Sequence, residues 1–196
     1  MNKPRGRKTG AGRRAGSSRT GVDRATARAA LAAAASGAPA VADLDAAMLY
    51  DPGTRIGCHL PGIVEMADGR VAVFLLESAE HGIAAALKVL HARTLILEHI
   101  RAGAQPRTVV SLLNVELSQA FGQLRNMSLL VGYVDTHDNT MTFCTSGAFR
   151  AAVYRGAEHA ATSLLVPEPT SAEPTNRSSA NRRLALLRGD WLVLHS

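Results

Sequence analysis

The sequence predicts a single α/β domain of the α+β type, a layered sandwich in which antiparallel sheets are flanked by helices. Short segments rich in apolar and β-branched residues, separated by turn residues, lie on both sides of one long helical region. Gly103 and Pro106 divide that region into two helices, since glycine suits a helix end and proline a first turn. Strands and a helix pair bury their apolar faces by stacking as layers. The chain of 196 residues has the length of one domain.

The elements follow in a simple order. A basic disordered tail is predicted over residues 1–28, an Ala-rich connector containing a short helix over 29–45, and the folded domain over 46–196. Pro167–Ser179 is predicted to be a loop. The predicted strands are Ala47–Tyr50, Val71–Glu77, Ser128–Val134, Met141–Ser146, Ala151–Arg155, Leu184–Leu187 and Trp191–Leu194. The predicted helices are Glu80–Arg101, with an apolar face of Ile83, Leu87, Leu90, Leu97 and Ile100, and Pro106–Phe121.

Charge is concentrated at the N-terminus. Residues 1–28 contain nine basic residues and one acidic residue, a net charge of +8, which leaves −2 for the remainder of a chain whose total is +6. A Gly-, Ser- and Arg-rich segment has too little apolar surface to fold by itself. It is predicted to be a solvated leader or a contact for nucleic acid or an anionic surface. A transit peptide is a further alternative, since the segment is rich in arginine and poor in acids, although it has no clear amphipathic pattern. The basic residues of that contact are Lys3, Arg5, Arg7, Lys8, Arg13 and Arg14.

Composition excludes several classes of protein. No uncharged apolar run reaches the roughly 18–20 residues of a membrane helix. The N-terminus lacks the apolar region of a secretory signal. Cys58 and Cys144 are too few for a disulfide framework and suggest reduced thiols in a cytoplasmic protein, with Cys144 packed in the core. No Gly-rich phosphate loop precedes a helix.

The most informative segment is 56–87. It predicts strand, hairpin turn at Asp68-Gly69-Arg70, strand, and a sharp turn into a helix at Glu80-His81-Gly82. This pattern resembles the metal-dependent PPM-type serine/threonine phosphatases, in particular the bacterial sporulation stage II protein E and sigma-regulator branch. Leu113-Asn114 resembles a pair in the second helix of that family. Gly189-Asp190 resembles the turn that leads into its C-terminal motif.

The resemblance implies two Mn²⁺ or Mg²⁺ ions and a bridging water that attacks a phosphoserine or phosphothreonine. It also indicates a degenerate site. The family's Gly-Gly-Asp motif falls on Gly57-Cys58-His59, a commonly acidic position falls on Gly62, and the second Asp becomes Glu77. The turn at the former active site keeps His81-Gly82. The family's C-terminal Asp motifs are absent, so the C-terminal part of the fold is expected to be missing.

The residues that remain leave the metal open. Imidazole, carboxylate and thiolate are ligands of Zn²⁺ or a similar ion. One such ion could be held by His59 and Glu77, with His81 and Cys58 as further candidates. The alternative is that these residues hold no ion.

Two functions of different classes follow. In the first, a degenerate phosphatase-like domain binds a phosphorylated regulator of the anti-sigma-factor-antagonist type, or its kinase, in bacterial phospho-signalling and performs no chemistry. In the second, the protein is an active metal-dependent phosphatase with substituted ligands. Loss of acidic ligands from a site for two divalent ions favours the first. A truncated gene product with an exposed sheet edge is a third alternative.

Overall fold

A computed structural model describes residues 14–35, 37–41, 43–51, 56, 59–122, 127–147, 150–163 and 180–195. Three helices and eight strands lie within these ranges. In chain order they are α1 Arg14–Ala34, β1 His59–Glu65, β2 Val71–Ser78, α2 Ile83–Arg101, α3 Pro106–Phe121, β3 Met127–Asp135, β4 Thr140–Ser146, β5 Arg150–Arg155, β6 Ala160–Ser163, β7 Arg182–Ala185 and β8 Trp191–His195. The predicted α+β layered sandwich with antiparallel sheets is confirmed.

The strands form two antiparallel sheets. A five-stranded sheet has the order β1-β2-β3-β4-β7, and a three-stranded sheet has the order β6-β5-β8. The hairpin between β1 and β2 closes where predicted, with the amide of Gly69 donating to the carbonyl of Met66 at 3.0 Å. β7 and β8 are neighbours in sequence but belong to different sheets.

The five-stranded sheet is buried on both faces. Phe74 and Leu76 of β2 pack with the helices in one apolar cluster. Val73 and Leu75 of the same strand pack in a second cluster, together with Ala151 of the three-stranded sheet. An uninterrupted apolar strand is typical of burial on both faces. The layers are therefore helices, five-stranded sheet and three-stranded sheet.

The helix pair lies against the first cluster. α3 begins at Pro106 and ends at Phe121, as predicted, and Gly122 follows it with a φ of 76°. The Tyr133 hydroxyl on β3 donates to the carbonyl of Ala104 between the helices, at 2.5 Å. Burial raises the pKa of Tyr133 to about 12. The hydrogen bond from Tyr133 to Ala104 ties the connector between α2 and α3 to the sheet.

The prediction for α2 was wrong in two respects. The helix begins at Ile83 and not at Glu80, because Gly82 has a φ of 96°, which a helix does not contain. Of the predicted apolar face, Leu97 and Ile100 are buried and Leu90 is partly buried, but Ile83 and Leu87 are exposed. The rest of the buried face consists of Ala85, Ala86, Val89, Ala92 and Ile96. Apolar residues occur around most of this helix, so periodicity alone selects no face.

The N-terminal prediction was also wrong for the part that the structure describes. Instead of disorder to residue 28 and a connector from 29, one helix spans Arg14–Ala34. Alanine and arginine are strong helix formers, and their propensities add over 21 residues. Leu31 is fully buried in the helix-side cluster, and Ala35 is buried beside it. Packing of these two residues holds the helix on the domain.

Two smaller corrections concern strands. Ala47–Tyr50 pairs with no strand in the described structure; Tyr50 instead packs its partly buried side chain against the helix-side cluster. The strand predicted at Leu184–Leu187 lies at Arg182–Ala185. Pro167–Ser179 lies outside the described residues. No helix in the described ranges is long and apolar enough to cross a membrane.

Candidate functional site

The β1–β2 hairpin brings together the two residues predicted as metal ligands. His59 and Glu77 are direct partners in the antiparallel register. His59 Nδ1 lies 3.9 Å from Glu77 Oε1, and the two side chains are 37% and 32% exposed. That separation exceeds a hydrogen bond. His59 Nδ1 is nevertheless buried and has no hydrogen-bond partner in the described structure.

The pleat of the sheet decides where this pair faces. His59 lies an even number of residues from Ile63 on β1, and Glu77 lies an even number from Val73 and Leu75 on β2. Ile63, Val73 and Leu75 pack toward the three-stranded sheet. Successive side chains on a strand point to opposite faces. The His59–Glu77 pair therefore lies at the end of the face between the two sheets.

Phe74 occupies the space beside Gly62, the position where the resemblance implies an acidic residue. Gly62 is paired with Phe74 in the register, and both face the helices. A Cβ at Gly62 would overlap three ring atoms of Phe74. Phe74 is itself buried, so its ring has no free space to move into. An acidic side chain at position 62 is incompatible with this packing.

The turn after β2 takes His81 to a different place. Ser78 ends the strand, and its Oγ accepts a hydrogen bond from the Glu80 amide at 3.2 Å. The Glu80 carboxylate is bound by Lys88 Nζ at 2.7 Å. His81 and Gly82 then line a groove of about 640 Å³ together with one side of α1. We call this the α1 groove. Its other lining residues are Gly21, Arg24, Ala25, Arg28 and Ile56.

These positions do not fit the two metal ions that the resemblance implies. Within the described ranges no group of three or more His, Cys, Asp or Glu side chains is placed to hold a metal ion. His59 and Glu77 are together, but His81 does not complete a three-ligand site with them, and Cys58 lies outside the described residues. Two hard divalent ions require several carboxylates. The binuclear centre has no counterpart in this part of the chain.

The Gly189-Asp190 turn is structural. The Asp190 carboxylate accepts a hydrogen bond from the Leu187 amide at 2.8 Å and forms an ion pair with Arg155. Burial alone raises the pKa of Asp190, but the Leu187 amide and the Arg155 guanidinium together lower it below its usual value of 3.8. The turn links β8 to β5. Cys144 is fully buried in the helix-side cluster, as predicted.

Sequence reasoning missed Arg24, Arg28 and Phe74. The two arginines were counted only as charge in the tail, although their spacing of four residues in an Ala-rich segment places them on one helix face. Nothing in the sequence links Phe74 to Gly62, because that contact depends on the strand register. Arg14 begins α1. Lys3, Arg5, Arg7, Lys8 and Arg13 lie outside the described residues.

Comparison with known proteins identifies the family. The model of the family described as stage II sporulation protein E (SpoIIE) matches residues 67–196. This match begins in the turn between β1 and β2 and includes strands β2 to β8 and helices α2 and α3. No curated protein sequence matches the chain.

Solved structures share the fold. The RsbU and RsbW domains of Rv1364c from Mycobacterium tuberculosis match with a TM-score of 0.59 at 22% identity, over 69% of this chain and 37% of that one. The PP2C phosphatase domain of SpoIIE from Bacillus subtilis, with a fragment of its regulatory domain, matches with a TM-score of 0.59 at 15% identity, over 70% of this chain and 39% of that one. RsbX in complex with magnesium matches with 0.57 at 15% identity, over 76% and 70%. The chain thus spans less than two thirds of the first and second of these structures.

Proposed function

Because the chain belongs to the stage II sporulation protein E family, we propose that it is a degenerate PPM-type phosphatase-like domain that binds and does not hydrolyse. Its partner would be a phosphorylated regulatory protein of the anti-sigma-factor-antagonist type, or the kinase of that protein. The setting would be partner-switch signalling in the bacterial cytoplasm. The fold would present the recognition surface, while the metal chemistry would be lost.

The chemistry of the motif positions supports this proposal. Of the three positions where the resemblance implies acidic ligands in this region, only Glu77 is acidic. The position of the first Asp is His59, and the Phe74 ring excludes a carboxylate at Gly62. Each lost carboxylate removes a negative charge that two divalent ions need for neutralisation. This deficit is the observation that carries the proposal.

One observation favours a second function, an active phosphatase with a substituted site. His59 Nδ1 is buried without a hydrogen-bond partner in the described structure, and the Glu77 carboxylate lies 3.9 Å away. Buried polar atoms normally have a partner. One borderline ion such as Zn²⁺, bound to imidazole and carboxylate, would supply it. A catalytic site of this kind would use residues beyond the pair.

Phosphatase turnover separates the two functions. The purified chain is assayed on an aryl phosphate and a phosphoserine peptide with Mn²⁺, Mg²⁺ or Zn²⁺, beside Glu77→Gln. The matched control is Glu65→Gln, which removes an exposed carboxylate at the other end of the same strand pair. The proposal expects no metal-dependent turnover from any of the three proteins, each shown to be folded by circular dichroism.

The opposite result has a clear form. Metal-stimulated turnover that Glu77→Gln abolishes and Glu65→Gln retains would overturn the non-catalytic proposal and establish the substituted site. Isothermal titration with Zn²⁺ provides a readout independent of activity. Binding of one equivalent, lost in Glu77→Gln and in His59→Ala, would show that the pair holds an ion.

A further inference from the structure

The α1 groove is a concave surface that has two arginines, Arg24 and Arg28, in its lining. Gly21, Arg24, Ala25 and Arg28 lie at spacings of three and four residues, so they form one stripe along α1. The opposite wall is the turn at His81 and Gly82. The groove volume of about 640 Å³ falls within the range of roughly 300–1,000 Å³ that small-ligand sites occupy.

The two guanidiniums have no counterion in the described structure. Neither Arg24 nor Arg28 forms a hydrogen bond or ion pair with any described residue. Like charges four residues apart destabilise a helix. The nearest acid in sequence to His81 is Glu80, and Lys88 already pairs with its carboxylate. The stripe therefore concentrates positive charge that an anion would neutralise.

The surroundings suit a phosphoryl group on a peptide. Guanidinium groups bind phosphate oxygens in a bidentate manner. Gly21 and Gly82 have no side chain and Ala25 has only a methyl group. A Cβ at Gly21 or Gly82 would meet nothing within 4 Å, so a peptide backbone has room to approach. The first turn of α2 follows Gly82 without a side-chain cap, which leaves its amides as additional donors.

From this arrangement we infer that the α1 groove binds the phosphoryl group of a phosphoserine or phosphothreonine, with Arg24 and Arg28 as the phosphate contacts and His81 at the opposite wall. The inference rests on the proposed function and deepens it, because it identifies which surface reads the phosphorylation of the partner. Recognition needs no metal ion.

The observations favour a phosphopeptide over a nucleic acid. The groove is bounded on both sides, whereas single-stranded nucleic acid requires an extended basic track with aromatic platforms. Aromatic residues make up only 4% of this chain. Residues 29–196 carry a net charge of −2, so beyond the α1 stripe the domain adds no net positive charge along which a polyanion could extend.

The test measures the binding of a labelled peptide to the full chain in EDTA. The peptide contains one phosphoserine flanked by uncharged residues, and the same peptide with unphosphorylated serine is measured beside it. The variant is Arg24→Gln/Arg28→Gln, because glutamine preserves helix propensity. The control is Arg101→Gln/Arg107→Gln, which removes two exposed arginines from α2 and α3. We expect preference for the phosphopeptide and a loss of about tenfold or more in the variant, with the control within about twofold of wild type.

Three results would overturn the inference. They are equal affinity of wild type and Arg24→Gln/Arg28→Gln, an equal loss in the control, and tighter binding of a single-stranded oligonucleotide than of the phosphopeptide. If the glutamine variant changes the helix content, Arg24→Lys/Arg28→Lys replaces it. Lysine keeps the charge and loses the bidentate geometry, so a weaker but measurable affinity is expected. Amide shifts at His81 and Gly82 on peptide addition locate the site.

Failure of this inference and failure of the proposed function are distinguishable. Peptide binding is measured in EDTA and reports only on the groove, while metal-dependent turnover reports only on the His59–Glu77 pair. Unchanged peptide binding in the arginine variant, with no turnover, removes the groove assignment alone. Turnover that depends on Glu77, with peptide binding that depends on Arg24 and Arg28, removes the non-catalytic function alone.

Discussion

Gly62 offers a direct test of the packing that excludes the acidic ligand. Substitution by alanine adds one methyl group whose position overlaps three atoms of the Phe74 ring. Gly62 and Phe74 are both buried on the helix-facing side of the sheet. The methyl group therefore cannot be accommodated by a turn of an exposed side chain.

The magnitude follows from two opposing effects. Overpacking of a well-packed core costs about 1–3 kcal/mol. Replacing glycine by alanine at an ordinary strand conformation returns about 0.4–1 kcal/mol, because the unfolded chain loses freedom. The overlap with three ring atoms places the cost in the upper part of its range, about 2–3 kcal/mol. After the gain is subtracted, we expect Gly62→Ala to lower the free energy of unfolding by about 1–2 kcal/mol. Gly62→Asp should lower it further, because it also buries a carboxylate.

A double-mutant cycle with Phe74→Leu isolates the contact. Leucine lacks the outer ring atoms that overlap the new methyl group. The stability lost in Gly62→Ala/Phe74→Leu should therefore be smaller than the sum of the losses in the two single variants, by at least about 1 kcal/mol. Urea unfolding followed by circular dichroism measures all four proteins. With a urea dependence of about 2 kcal/mol/M, Gly62→Ala alone shifts the midpoint by roughly 0.5–1 M.

Additive costs in the cycle, or a Gly62→Ala variant as stable as wild type, would refute the reasoning. Either result would mean that the Phe74 ring does not occupy the space beside Gly62. A positive coupling energy would show instead that the acidic position cannot be restored by one substitution. An acidic residue at position 62 would then require a change at Phe74 as well.

Three further predictions concern stability. Tyr133, whose pKa is raised to about 12, should contribute stability that is complete below its unfolded pKa of about 10 and decreases by about 2–3 kcal/mol as the pH rises toward 12; urea titrations should show a shallower alkaline loss in Tyr133→Phe, and identical slopes would contradict this. Asp190, whose pKa is lowered, should contribute stability above pH 4 that is lost as the pH falls through its folded pKa, so Asp190→Asn should show a weaker acid dependence than wild type in thermal melts. Leu31→Ala should weaken the docking of α1 by about 2–5 kcal/mol, seen as faster limited proteolysis within α1 while the sheets stay intact.

Local signals predicted most elements and could not predict their assembly. The Asp68-Gly69 hairpin and the start of α3 at Pro106 were confirmed because their chemistry is local. The predicted inward face of α2 is correct at its C-terminal end, where Leu97 and Ile100 are buried. At its N-terminal end Ile83 and Leu87 are exposed, and Ala85 and Ala86 lie inward instead. Small residues let α2 approach its neighbours closely, which is a property of the packed layers and not of the helix sequence.

The candidate site was predicted in part for the same reason. His59 and Glu77 were expected to meet across a hairpin, and the register places them opposite each other. His81 is only four residues from Glu77, yet it lines the α1 groove, because the strand ends and the chain turns toward the helices. Arg24 and Arg28 line the groove because α1 docks on the domain through Leu31 and Ala35, and no sequence motif predicts that docking.

The α1 groove and the altered metal motifs are connected by electrostatics. In the family's chemistry, divalent ions provide the positive charge that binds a phosphoryl group. Of the three positions between residues 59 and 77 where the resemblance implies an acid, only Glu77 is acidic. Across the α1 groove from the turn at His81 and Gly82 lie Arg24 and Arg28, which have no counterion among the described residues. Guanidiniums attract phosphate but do not activate a water as a metal ion does. A surface of this composition can retain affinity for a phosphoryl group while losing the means to hydrolyse it, which is the property that a phosphorylation-reading module requires.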